Sequence, residues 1–267
     1  FFFKHTTAYA ILSGLVGSEM CIRDRNIEGN VYGPYTLDGD AADYSSGSGF
    51  VRDSVEIADD DIYYPDYDAV VAIHSGPGGE SSGNSNDIWS AHWPTLTIST
   101  DDEDENGNDH FVDGISQVPE YQLSNGEKNP LGVWCHEFGH ELGLPDYYDT
   151  DGSSEGVGNW AVMAAGSWGN NGETPVYFSA YSRYWLGWDE PIIVQGDIAN
   201  LVIEPVSEGG KIYKLPIPGN WTDSEQYFLL ENRQQTKYDT YLPGEGLLIW
   251  HIAVSYTHLT LPTNREV

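Results

Sequence analysis

Basic residues are scarce. The 267 residues hold 11 Lys and Arg against 42 Asp and Glu, a formal net charge of −31. Phosphate backbones are held by Lys and Arg, so nucleic acid is not an expected partner. An anionic membrane surface is not expected for the same reason. Cysteine is nearly missing: Cys21 and Cys135 are too few for a disulfide framework. Methionine occurs only as Met20 and Met163. No apolar run in the body of the chain is long enough to span a bilayer. Aromatic residues, by contrast, are plentiful, with 9 Trp and 18 Tyr among 39% hydrophobic residues, which favours a folded chain over a disordered one. A chain of this length buries a sizeable core without staples. The acidity suits an exported protein, a salty medium or bound cations, and selects none of them.

The two ends read differently from the body. Residues 1–25 hold a short apolar run, Ala8 to Gly17, that has the look of a signal-peptide core. However, "LVGSEMCIRDR" and, at the other end, "VSYTHLTLPTNREV" resemble translated adaptor sequence. Residues 1–25 and 253–267 are therefore expected to be non-native ends. They take with them Cys21, Met20, Lys4, Arg23, Arg25 and Arg265, so the body is more acidic still.

Within the body, residues 26–49 read as loops with a short strand. Asp66 to Gly76 is a compact apolar run ending in glycine, a buried strand. Thr95 to Thr100 and His110 to Ser116 read as two more strands, separated by the acidic turn "DDEDENGND". Pro130 to Leu142 reads as a helix, with Pro at its start, Gly143 after its end and Pro145 blocking continuation. Pro175 to Trp188 has the spacing of a second amphipathic helix. After Asp189 the pattern becomes all-β, with "NLVIEPV", "KIYKLPI", "EQYFLLEN" and "EGLLIWHI" as strands. The expected fold is α+β, a mixed sheet with a central helix in residues 26–190, followed by a β-rich part in residues 191–252 that either completes this domain or forms a small second one.

The chemistry is concentrated in "WCHEFGHELGLPDYYD", Trp134 to Asp149. Residues four apart on a helix share a face, so His136 and His140 point the same way and suit one metal ion. Glu137, beside the first histidine, is placed to act as general base towards a water. Two histidines at this spacing often mean nothing by themselves. Glu137 raises the odds, and the residues after it raise them further. Gly143 tolerates a sharp turn, which brings Asp146 back as a third ligand, as a catalytic zinc site requires. The resulting H-E-x-x-H-x-x-G-x-x-D differs from the metzincin pattern only in its last ligand, and a carboxylate is a legitimate zinc ligand. Met163, in "NWAVMAAGSW", is the candidate for a Met-turn, an apolar floor under the site that does not itself bind metal. Cys135 reads as a small apolar helix residue.

"HEFGHELGLPDYYD", "VGNWAVMAAGSW", "VVAIHSGPGGESSG…DIWSAHW" and "FLLENRQQTKYDTYLPGEGLLIWHI" together resemble the immune inhibitor A family of secreted bacterial metallopeptidases. The resemblance covers about Tyr32 to Ile252. It implies a zinc endopeptidase with a metzincin-like catalytic domain, exported, made as a proenzyme and often binding calcium. It places zinc ligands at His136, His140 and Asp146 and the catalytic glutamate at Glu137. Where the family continues past "IWHI" with Asp, this chain has Ala253. The resemblance further implies protein or peptide substrates; a monomer is expected.

Other residues admit two readings. Asp102, Asp104, Asn106 and Asp113 are spaced like the oxygen ligands of a calcium loop, with Gly107 at the turn, yet no flanking helices are evident and a solvated acidic turn is favoured. Asp149, Asp151 and Glu155 form a similar candidate. His74, ending an apolar strand, reads as a hydrogen-bonded structural residue, for which the family resemblance implies a role in shaping the cleft, and His92 reads as a packing residue. Tyr147, Tyr148 and Tyr177 are candidates to stabilise an oxyanion, with packing the favoured role for each. The rivals to the peptidase reading are a non-catalytic calcium-binding or adhesive module on a protease scaffold and a zinc hydrolase of a non-peptide bond.

Overall fold

Buried Phe50, Val51, Ser54, Val55 and Ala58 recur at three- and four-residue spacing, and the segment that carries them is helix α1, Gly49–Ala58. The sequence reading had not anticipated this helix. The structure is a computed structural model of the chain. It describes residues 30–121, 131–154, 156–217 and 226–253. Of the expected non-native ends, 1–25 and 253–267, all but Ala253 lie outside the described residues. The chain divides into two compact units, with the division between Gly143 and Leu144.

The first unit is built on a three-stranded mixed sheet of order β1-β3-β2. Strand β1 is Val70–Pro77, β2 is Ala91–Glu103 and β3 is Asp109–Tyr121. β1 runs parallel to β3, and β2 antiparallel to it. A short helix α2, Gly79–Ser82, lies in the loop after β1. Residues 131–141 form α3, Leu131–Glu141, matching the expected helix; Pro130 lies outside the described residues. Successive strand residues face opposite ways, and β3 shows the consequence. Ile115 joins α1 in a core with Val51, Val55, Tyr64 and Ile98. Ser116, on the opposite face, bonds to α3. The sheet therefore carries a helix on each face.

The β2–β3 hairpin is longer than the sequence suggested, because its strands run into the acidic stretch. Asp104 closes the turn: its carboxylate accepts from the Asn106 and Asn108 amides at 2.8 and 2.9 Å and from the Asn108 side chain. These bonds, those from Asn108 first, hold the Asp104 carboxyl down at about 2.

The second unit holds a four-stranded sheet of order β4-β5-β6-β7. The strands are β4 Ile192–Ile193, β5 Tyr213–Pro216, β6 Gln226–Arg233 and β7 Gly246–Ala253. β4 is parallel to β5 and the other pairs are antiparallel. Two expectations need correcting. The second helix, α4, covers only Ala180–Trp185, because Ser179 caps it, accepting from the Ser182 amide at 3.1 Å. Val176, Tyr177 and Phe178, read as its first turn, are buried outside it. "NLVIEPV" is not a strand either. Leu201 and Val202 are exposed, Pro205 lacks an N–H and makes only an isolated bridge to Asn232, and a 3-10 turn follows at Val206–Glu208.

Strand β6 alternates strictly, and the face it buries is half charged: Tyr227, Leu229, Glu231 and Arg233. Arg233 grips Asp239 with two nitrogens, at 2.5 and 2.6 Å, and reaches Glu231 at 3.3 Å. Glu231 also receives Arg183 at 3.0 Å and the Trp250 indole N–H at 2.8 Å. Asp239 accepts the Tyr177 amide at 3.0 Å. This network ties β6 and β7 to α4 and to the extended segment before it.

Candidate metal centre

Helix α3 ends where the sequence demands. Gly143 has φ +87°, a left-handed conformation that suits glycine, and its amide donates to the His140 carbonyl at 2.8 Å. The chain then turns through Leu144 and Pro145 to Asp146. On the helix, His136 and His140 share a face, their Nε2 atoms 3.2 Å apart and their rings nearly perpendicular. One ligand atom from each of His136, His140 and Asp146 lies within 4.8 Å of the others. Among the described residues this is the one such group of three histidine, cysteine or acidic side chains. A single unbroken stretch of chain carries all three.

The donor set fits a zinc-like cation. Two ligands roughly 2.0–2.1 Å from a tetrahedral ion are about 3.3 Å apart, close to the separation seen between the imidazole nitrogens. Two imidazole nitrogens brought this near repel through their lone pairs unless a proton or a cation lies between them. Glu137 follows His136 by one residue, rotated around the helix by roughly 100°, and is buried.

The chain just past Asp146 is pinned. The Tyr147 amide donates to the Met163 carbonyl at 2.8 Å, and the Val157 amide to the Tyr147 carbonyl at 3.1 Å. Met163 is fully buried with Ala161, Val162 and Ala164 around it in sequence. Gly166 permits this tight loop: a Cβ there would come within 2.5 Å of both the Ala161 carbonyl oxygen and Val176. Cys135 is free and buried, and burial pushes its thiol well above the ordinary range, in keeping with a packing role.

Asp102 and Asp113, from the first calcium candidate, do not gather. On the hairpin, Asp113 pairs with Thr97, five residues along β2 from Asp102. At about 3.3 Å per residue that puts roughly 16 Å between their backbones. Asp102 accepts the Tyr64 amide at 2.8 Å, and Asp104 and Asn106 form the turn. The spacing of a calcium loop is here the spacing of a hairpin. Asp149 accepts from the Asp151 amide and from Ser153 and Ser154, and Asp151 accepts the Ser153 amide, so both carboxylates shape a turn. These bonds, Ser153 first, hold the Asp149 carboxyl well below the usual range. Glu155 lies outside the described residues.

His74 is buried, and its Nδ1 donates to the Ser75 carbonyl at 3.1 Å. Burial lowers it to about 4, so the ring is neutral at pH 7. It lines a cavity of about 320 Å³ together with Tyr35, Tyr44 and Phe50. Of the three tyrosines, Tyr147 is buried and accepts from Ser182 at 3.1 Å, Tyr177 is buried edge-on against Tyr238, and Tyr148 is exposed. Sequence reasoning missed the Ser116–His92–Glu141 cluster beside His140. Ser116 Oγ lies 3.1 Å from the Glu137 carbonyl and 2.9 Å from Glu141 Oε1. Only the β2–β3 register, which pairs His92 with Ser116, brings it together.

Comparison with known proteins adds an independent line. The family described as "Immune inhibitor A peptidase M6, catalytic domain" matches residues 51–189, just over half of the chain. Immune inhibitor A of Bacillus thuringiensis subsp. alesti is 32% identical over 142 residues, which cover 51% of this chain and 20% of that protein. The pre-pro-metalloprotease PrtV of Vibrio cholerae serotype O1 is 31% identical over 136 residues, 45% of this chain and 14% of that protein. The matched region thus spans a fifth or less of these relatives.

Proposed function

Because the chain belongs to the immune inhibitor A peptidase family M6, a family of metallopeptidases, we propose that it is a secreted zinc endopeptidase acting on proteins. His136, His140 and Asp146 hold the ion. The observation that carries this reading is the convergence of their three ligand atoms within 4.8 Å. A zinc ion bound there supplies Lewis acidity towards the scissile carbonyl and makes water acidic enough to attack near neutral pH. Glu137 takes a proton from the attacking water and returns it to the leaving amine. Met163 forms the apolar floor of a metzincin-like site. Residues 26–190 are the catalytic region, in line with the end of the family match at residue 189, and residues 191–252 are its β-rich continuation. Export is supported by the family and by the word pre-pro in the name of the Vibrio relative. No helix of the described residues is long and apolar enough to cross a membrane.

Casein hydrolysis by the purified chain tests the proposal. Treatment with 1,10-phenanthroline abolishes it, and zinc added in excess of the chelator restores it. Hydrolysis indifferent to both treatments rules out the zinc reading.

A further inference from the structure

The ring of His92 lies over the ring of His140, with centroids 5.8 Å apart and planes 23° from parallel. His92 is itself tied down. Its Nδ1 is 3.2 Å from Ser116 Oγ and 3.3 Å from Glu141 Oε1. A carboxylate oxygen only accepts, so the contact with Glu141 requires the proton on Nδ1. Ser116 Oγ completes the triangle at 2.9 Å from the same carboxylate oxygen, and it also lies 3.1 Å from the Glu137 carbonyl. The side chains of His92 and Glu141 are 10% and 6% exposed, so these bonds are shielded from water. Gly114 closes the space from the neighbouring strand position. Its φ is +66°, and a Cβ there would touch His92 Cε1 at 3.6 Å and Glu141 Oε2 at 3.9 Å.

Filling space against His140 needs only an apolar side chain. Burying a histidine with a carboxylate and a hydroxyl costs desolvation that packing alone does not require. What the arrangement adds is orientation. The last torsion of a histidine side chain is broad and poorly set by its own backbone. A metal, however, is bound along a lone pair in the ring plane, so the ring plane decides where the donor points, and neighbouring groups set it.

We propose that His92 is a positioning residue for the metal centre: anchored by Ser116 and Glu141, it fixes the ring plane of His140 and so the direction of His140 Nε2. This rests on the zinc site proposed above. The test is zinc affinity of the full chain, measured by competition with a chromophoric chelator, alongside the melting temperature of the metal-free protein. His92→Ala weakens zinc binding about 10- to 100-fold, the range expected when an outer-shell partner is lost. His92→Phe fills the same space but cannot be held by Ser116 or Glu141, and it recovers little of that loss. Ser116→Ala, which removes one anchor and little volume, weakens binding several-fold and serves where His92→Ala does not fold. Affinity within about twofold of the parent in His92→Ala, in Ser116→Ala or in His92→Phe overturns the proposal. A lower melting temperature with unchanged affinity marks a purely structural residue and overturns it too. His140→Ala is the control: if it leaves zinc affinity intact, the zinc site itself is misplaced, which is a different failure.

Discussion

Replacing Glu137 with glutamine lowers casein hydrolysis by about 10²- to 10⁴-fold, the contribution of a positioned general base. Glutamine keeps the volume and a hydrogen-bonding oxygen but cannot take a proton at neutral pH. Glu137 is buried on α3, and its backbone carbonyl is bonded to Ser116, so the change leaves the helix and the histidines in place. Zinc content is therefore unaltered while turnover falls. A variant that hydrolyses casein as fast as the parent removes Glu137 from the mechanism.

The second large effect concerns stability. Arg233→Met destabilises the protein by about 3–5 kcal/mol, the cost of leaving buried charges uncompensated. Arg233 is wholly buried and serves both Glu231 and Asp239, themselves fully buried. Urea unfolding measures the change. Its pH dependence has a definite sign. Burial alone pushes the Glu231 carboxyl up, but Arg233 and Arg183 together with the Trp250 bond outweigh it, and the net shift is below its ordinary 4.5. A carboxyl depressed in the folded state contributes stability above its unfolded value, and that contribution is lost as pH falls through its folded value. Without Arg233, only Arg183 and the Trp250 bond oppose burial, and Glu231 is protonated more readily. The gap between parent and variant is therefore full at neutral pH, begins to narrow as pH falls into the carboxyl range, and narrows further below about 4.5, where the parent's own contribution is lost. A loss under about 1 kcal/mol at pH 7, or a gap that widens in acid, contradicts this account of the network.

The convergence of His136, His140 and Asp146 was legible in the sequence because everything that builds it is local. A helix repeat aligns His136 with His140, a glycine ends the helix, and the turn delivers Asp146, all within one stretch. Strands β5, β6 and β7 were legible in their alternation, and the β2–β3 hairpin in part, its ends disguised by acidic residues that a strand tolerates on exposed faces. Helix α1 carried the signal in Phe50, Val51, Val55 and Ala58, but a polar neighbourhood concealed it. The error over α4 came from reading aromatic spacing without weighing Ser179 as a cap. The calcium-like spacing failed for a different reason: Asp102 and Asp113 are near in sequence, but the hairpin register sets them apart. Nothing local announces the network of Arg183, Glu231, Arg233 and Asp239, or the approach of His92 to His140. Both depend on sheet register and on contacts between distant segments.

The zinc content of the purified chain decides whether the ion at His136, His140 and Asp146 exists. Elemental analysis of the parent gives about one zinc per chain, and the double replacement His136→Ala, His140→Ala gives a folded chain with none. A parent free of zinc after loading, or a double variant that keeps its zinc, contradicts the site.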